Sequence, residues 1–274
     1  MSRIYKNRYL ISRRIVQVTI LGLFIASNIY GFNWLKGNLS AAKILDVFFL
    51  ADPYASLQML AAGLVISMDV IIGSVIILVF YSLFVGRAFC SWVCPVNIVT
   101  DTAFWLRNII NIKIPSGKHL KLTRKVRYWI LVLGLVVSAV VGVAAFEYVS
   151  PISMLHRGLI YGMGTGWLIV LMVFIFDLLV LKHGWCGYLC PLGAFYSITG
   201  KYSLLRINHS KEACTDCNDC KVVCPEVQVL DIIGKKSGYI NYGACTNCGR
   251  CIDVCEDDAL KFSIKKLNKQ NTSR

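Results

Sequence analysis

The sequence predicts a membrane-embedded, all-α domain of four helices, built as two helix-pair repeats and followed by a small cysteine-rich α+β module. Three observations predict it. Of 274 residues, 56% are hydrophobic and only 16% charged, too apolar for a soluble domain. The stretches "FCSWVCPV" (Phe89 to Val96) and "WCGYLCPL" (Trp185 to Leu192) repeat one device 96 positions apart, each after a long apolar run. Eight of the 12 cysteines then fall after Leu205 in two quartets.

The first span is expected at about 15–35, because no charged side chain stands between Arg14 and Lys36 and about 20 apolar residues cross the hydrocarbon as a helix. Its apolar core is longer than that of a signal peptide, and "SNIYGFNW" offers no small-residue cleavage site. Arg13 and Arg14 read as flanking charge rather than a twin-arginine export signal. Further spans are expected at about 67–86, 128–146 and 164–181. Basic residues set the orientation. Arg3, Lys6, Arg8, Arg13 and Arg14 precede the first span, and Arg87, Arg107, Lys113, Lys118, Lys121, Arg124, Lys125 and Arg127 fill the loop after the second. The other two loops offer Lys36 and Lys43 against Asp46 and Asp52, and Arg157 beside Glu147. Both termini are therefore expected in the cytoplasm, in a multi-pass protein of the inner membrane. The net charge of +14 is accounted for by this asymmetry, so nucleic acid is not an expected partner and membrane lipid is.

Residues 206–265 carry the most specific chemistry. "CTDCNDCKVVCPE" places Cys214, Cys217, Cys220 and Cys224 at the spacing C-x2-C-x2-C-x3-C-P, and "CTNCGRCIDVCED" repeats it with Cys245, Cys248, Cys251 and Cys255. This is the two-cluster bacterial ferredoxin pattern, in which the fourth cysteine of each motif serves the other cluster. One [4Fe–4S] cluster is assigned to Cys214, Cys217, Cys220 and Cys255, the second to Cys245, Cys248, Cys251 and Cys224. Iron of these two clusters is the only metal expected. Zinc would favour two pairs over two quartets, and disulfides are disfavoured in the cytosol. Glu256 replaces the proline that normally follows the last cysteine, without loss of a ligand. "KKSGYINYGAC" reads as a turn and a short strand, and 266–274 as a polar tail.

Four spans, two C-x3-C-P motifs after the second and fourth, and a terminal two-cluster module together resemble the NapH family, with MauN as a relative, over essentially the full length. Larger oxidase and nitrous-oxide accessory proteins share the motifs but carry further domains. The resemblance implies a quinol dehydrogenase component that takes electrons from the quinone pool. With a NapG-like periplasmic iron–sulfur subunit, it would pass them towards a periplasmic nitrate reductase. The alternative is an accessory or maturation protein that reduces a metal centre or thiol in another respiratory enzyme.

"LADPYASLQML" and "YVSPISMLHRG" each put a proline after a short polar residue, ahead of the span that ends in C-x3-C-P, so the repeats are expected as parallel pairs. Cys90, Cys94, Cys186 and Cys190 would then converge as a redox or metal site, with inert packing as the alternative. No histidine lies inside the expected spans, which argues against membrane haem; His156 falls in an outer loop, His183 at the cytoplasmic edge, and His119 and His209 in polar segments read as solvated. Quinol oxidation releases protons, and Asp177, about 13 Å below Cys186 on a helix, is the first candidate acceptor. It can instead pair with Lys182 or His183. Asp69 and Glu147, near the outer interface, are weaker candidates.

Overall fold

The computed structural model describes residues 7–32, 34–45, 47–111, 123–162 and 164–265. Arg3, Lys6, Asp46, Lys113, Lys118, His119, Lys121 and the tail 266–274 lie outside the described residues.

The first helix, α1 (Arg8–Tyr30), starts about two turns earlier than charge alone suggests and stops where Gly31 takes φ +76°. A three-stranded antiparallel meander follows: β1 (Leu35–Gly37), β2 (Ala41–Ile44) and β3 (Phe48–Ala51). The apolar part is therefore not all-α. Phe49 and Leu50 lie so close to Gly73 that a β-carbon there would overlap the Phe49 carbonyl, and this fit seats the sheet on α3 (Met68–Phe80).

Between them α2 (Pro53–Ala61) begins at Asp52, whose carboxylate accepts from the Tyr54 amide at 3.1 Å, with Pro53 in the first turn. Tyr54 donates its hydroxyl to the Leu131 carbonyl inside α6 (Val126–Val141). One turn on, Gln58 Oε1 accepts from Ser138 near the other end of that helix and from the Phe146 amide just beyond it. After the four-residue α4 (Phe89–Trp92) and α5 (Val96–Ile109), α6 opens the second repeat and ends at Gly142 with φ +75°. The short α7 (Ala145–Val149) leads to α8 (Pro151–Tyr161), the counterpart of α2, again with proline in its first turn. Ile152 packs with Cys94 and Cys190, while Tyr161 donates to Asn28 near the far end of α1. Both short helices thus start beside the cysteine motifs and run away from them.

The repeat extends to a detail invisible in the pattern of residues. Helix α3 ends in a π turn, Tyr81–Val85, and α9 (Gly166–Ile175) ends in another, Phe176–Val180. Each precedes a cysteine motif, and π turns recur at functional sites. Two helices, Arg8–Tyr30 and Met68–Trp92, are long and apolar enough to cross a membrane, while Val126–Val141 and Gly166–Val180 are apolar but shorter. The third expected span loses its end to Gly142 and α7. His156, expected in an outer loop, is instead fully buried in α8 against Phe24.

After α10 (Pro191–Thr199) the chain enters the cysteine-rich module. Its sheet has the order β5-β4-β6, with β4 (Leu205–His209) pairing β6 (Leu260–Ile264) along five residues and β5 (Gly238–Tyr239) along two. Ile207, Leu230, Ile240, Ile252 and Leu260 form its core together with four buried cysteines, Cys220, Cys224, Cys245 and Cys251. His209 is buried, not solvated, its Nδ1 3.0 Å from the Lys236 carbonyl.

Candidate iron–sulfur and four-thiol sites

Each quartet is wound by the same two backbone turns. Asp216 and Asn218 in the first, Asn247 and Gly249 in the second, take φ of +58°, +65°, +48° and +75°. Asp, Asn and Gly tolerate this left-handed region best, which explains "TDCND" and "TNCGR". The turns hold the first three cysteines of each motif in one short loop and helix start, and the short helices α11 (Asp219–Val223) and α12 (Arg250–Asp253) carry the chain to the fourth.

The thiols fall into two groups that cross the motifs. Those acting electrostatically on Cys220 are Cys217, Cys255 and Cys214. Those acting on Cys251 are led by Cys248, Cys245 and Cys224, with Cys220 last. Burial first, then Cys248, pushes the Cys224 thiol well above its ordinary value. Among the described residues no three His, Cys, Asp or Glu side chains stand close enough to share one metal ion. A single zinc needs its sulfurs within about 2.3 Å of one centre. A cubane spreads its ligands over four irons, one sulfur to each, so an all-thiolate quartet fits it.

In the apolar domain, Cys94 and Cys190 are 4% and 5% exposed, and Cys90 and Cys186 are half-buried. One cavity is lined by all four. Each motif straddles a helix break rather than one continuous helical face. Pro95 and Pro191 open α5 and α10, so Cys94 and Cys190 lie at helix N-termini, and the Gly193 amide points at Cys190 Sγ from 3.4 Å. Burial, ahead of the neighbouring thiols, pushes Cys94 and Cys186 up; Cys190 reaches about 12. Such thiols stay protonated until a cation displaces the proton.

Two buried ionic nodes, missed by sequence reasoning, join the module to the apolar domain. Glu226, immediately after Cys224 and Pro225, accepts from Arg87 and Arg127 at 2.6 Å each, from Gln228 at 2.6 Å, and from Arg124. Burial alone would raise its pKa, but Arg87, Arg127 and Arg124 together hold it below the usual carboxylate value. Arg87 also donates to the Cys186 carbonyl at 2.6 Å, touching the second cysteine motif from beside the first. The other node is Asp101 on α5, paired with Arg14 and with Arg250 of α12. His183 Nε2 lies 3.3 Å from Arg250 Nη1, and burial followed by Arg250 lowers its pKa to about 3, keeping it neutral. Arg13 is completely buried here and is not simply flanking charge. A second cavity, lined by Cys90, Cys186 and Cys248 and by Arg13 and Arg87, lies between the four-thiol site and the second quartet.

The three carboxylates proposed as proton acceptors are not brought together. Asp177, 1% exposed, accepts from the Trp185 amide at 2.9 Å and so caps the second cysteine motif, rather than pairing with Lys182 or His183. Glu147 accepts from Ser40 and from Ser153 at 2.6 Å and lies 3.7 Å from Arg157. Asp69 is exposed in the first turn of α3.

Residues 67–113 and 163–209, one C-x3-C-P motif in each, match a sequence family described as a 4Fe-4S binding domain, and residues 206–256 match a 4Fe-4S dicluster domain. Fold and sites thus define a ferredoxin-type iron–sulfur protein with apolar, membrane-type helices. Its relatives include the ferredoxin-type protein NapH of Haemophilus influenzae, 44% identical over 95% of this chain and 91% of the relative. The methylamine utilization ferredoxin-type protein MauN of Methylorubrum extorquens is 43% identical over 92% and 88%, and NapH of Escherichia coli 38% over 94% and 90%. The chain belongs to this NapH and MauN family of ferredoxin-type proteins. No solved structure matches it.

Proposed function

We propose that the chain is a four-span subunit of the inner membrane that takes electrons from quinol. It passes them, with a NapG-like periplasmic iron–sulfur protein, towards a periplasmic nitrate reductase. Residues 1–200 form the membrane domain and 206–265 the ferredoxin module, with both termini in the cytoplasm. Cys214, Cys217, Cys220 and Cys255 hold one [4Fe–4S] cluster; Cys245, Cys248, Cys251 and Cys224 hold the other. When bound, the clusters supply one-electron carriage at both ends of the module.

Cys90, Cys94, Cys186 and Cys190 form one composite redox or metal site. The observation that supports the reading is a cavity lined by Cys90 and Cys186 of the apolar domain and by Cys248 of the module. The chain's own residues do the rest. Glu226 locks the module to Arg87 and Arg127, and Arg87 ties that lock to the backbone of Cys186. Asp177 is the acceptor assigned to the quinol proton: it alone of the three carboxylates is buried beside a cysteine motif, and its Oδ2 has no partner among the described residues.

Anaerobic mixing of the purified membrane protein with a reduced quinol, followed by electron paramagnetic resonance, tests the reading. Quinol is expected to reduce the clusters. Cys90→Ser and Cys186→Ser should each abolish that reduction with both module clusters retained, and the double variant should add nothing further. Clusters that dithionite reduces but no quinol reduces would overturn the quinol reading; undiminished reduction in both variants would make the four thiols packing.

A further inference from the structure

Arg13 is a charged side chain whose surroundings lack enough negative charge. It is 0% exposed, and none of its three guanidinium nitrogens has a hydrogen-bond partner among the described residues. The nearest carboxylate oxygen, Asp101 Oδ2, is 3.8 Å away and already engaged by Arg14, while Arg250 takes the other oxygen. An unpaired buried guanidinium is among the most destabilising groups a chain can carry, so an anion is owed to this place.

The cavity in front of Arg13 shows where that anion belongs. Arg13 lines it together with Cys248, Cys90 and Cys186. Four thiolates around a cubane core of charge 2+ carry a net charge of 2−. At the Asp101 node three guanidiniums, Arg13, Arg14 and Arg250, face one carboxylate, which leaves two positive charges in excess. His183 does not add to them, because it stays neutral. At the Glu226 node Arg87, Arg124 and Arg127 face one carboxylate and leave the same excess. The two nodes flank this cavity, so their surplus charge and that of the thiolate sites are complementary.

We propose that Arg13 is a positioning and potential-setting residue for the cluster held by Cys245, Cys248, Cys251 and Cys224, supplying buried positive charge and N–H donors on the side of Cys248. The proposal rests on the reading that this quartet holds a cluster. Positive charge and hydrogen bonds at a cluster favour its reduced form, so they raise its reduction potential. The assignment also explains why a charge sits inside the first apolar helix, one turn deeper than Arg8.

The test is a redox titration of the full-length protein by electron paramagnetic resonance, with iron content and membrane level measured alongside. Arg13→Gln should shift the reduction equilibrium of one cluster at least tenfold towards the oxidised form, 59 mV for one electron, and leave the other in place. Asp101→Asn removes negative charge from the same node and should shift the same cluster the opposite way. A merely structural Arg13 would lower protein or iron levels without these opposed shifts. Unchanged potentials in an iron-replete Arg13→Gln protein overturn the proposal; if that variant fails to accumulate, an unchanged or lowered potential in Asp101→Asn overturns it. Wild-type protein lacking iron at the second quartet would instead overturn the ligand assignment beneath it.

Discussion

Cys224 shows how a single residue carries two duties. Its thiol lies with Cys245, Cys248 and Cys251, while the chain two residues on delivers Glu226 to Arg87 and Arg127. The thiol proposed as a ligand of the other motif's cluster is thereby tied to the apolar domain. Replacing Cys224 by Ala is therefore expected to remove the spectroscopic signal of the Cys245, Cys248 and Cys251 cluster and to spare that of Cys214, Cys217 and Cys220. Selective loss of the latter signal would reverse the assignment. At this scale the sequence was readable where partners are close along the chain, because three-residue spacing alone specifies a quartet. It was unreadable where they are distant. Arg87 meets Glu226 across 139 positions and Arg250 meets Asp101 across 149; Arg87 already had a sufficient explanation as charge beside a span, and Arg250 stood as a spacer inside a cysteine quartet. Arg13 hid in the same way: its sequence neighbours announce a helix end, and only the burial contradicts them.

Elements show the same division between local and distant causes. Helices α1 and α3 follow from uninterrupted apolar runs, and α2 and α8 from prolines that can only open a helix. The meander did not stand out, because "LKGNLSAAKILDVFFLA" mixes lysines with apolar residues and alternates over too few positions. Its place is set instead by tertiary fit. Gly73 lets the Phe49 carbonyl approach the α3 backbone, and any side chain there must displace either the strand or the helix. Gly73→Ala should therefore destabilise the protein by about 1–3 kcal/mol, the range for overpacking a close contact. Gly22→Ala, in α1 with open space around the new carbon, should be neutral or slightly stabilising, since alanine favours helix by about 1 kcal/mol. Thermal scans of the two variants in one detergent check the pair, and equal midpoints would mean that β3 does not press on α3. The duplicated π turns had no sequence signal at all. They place an extra residue just before each cysteine motif, a register change that only the backbone reveals.

For the whole molecule, the nodes alter the argument about sidedness. Arg13, Arg87 and Arg127 are buried against the module or its clusters' surroundings, so they no longer count as free charge drawn to one membrane surface. They do something different: because Arg87 and Arg127 grip Glu226, the module must lie on the same side as the ends of α3 and the start of α6. Which side that is still depends on the remaining basic residues. Arg8, Arg14, Arg107, Arg124 and Lys125 stand at these ends, against Lys36 and Lys43 in the meander and Arg157 beside Glu147. The excess still favours a cytoplasmic module. A reporter active only in the cytoplasm, fused after Arg274, is expected to work, and one inserted near Asp46 is not. A reporter active only in the periplasm should give the reverse at both positions. If the periplasmic reporter is active after Arg274, the clamp carries the consequence with it: the four thiols, both quartets and the arginine nodes all move to the outer face together. Electrons would then need no passage across the membrane to meet a periplasmic partner.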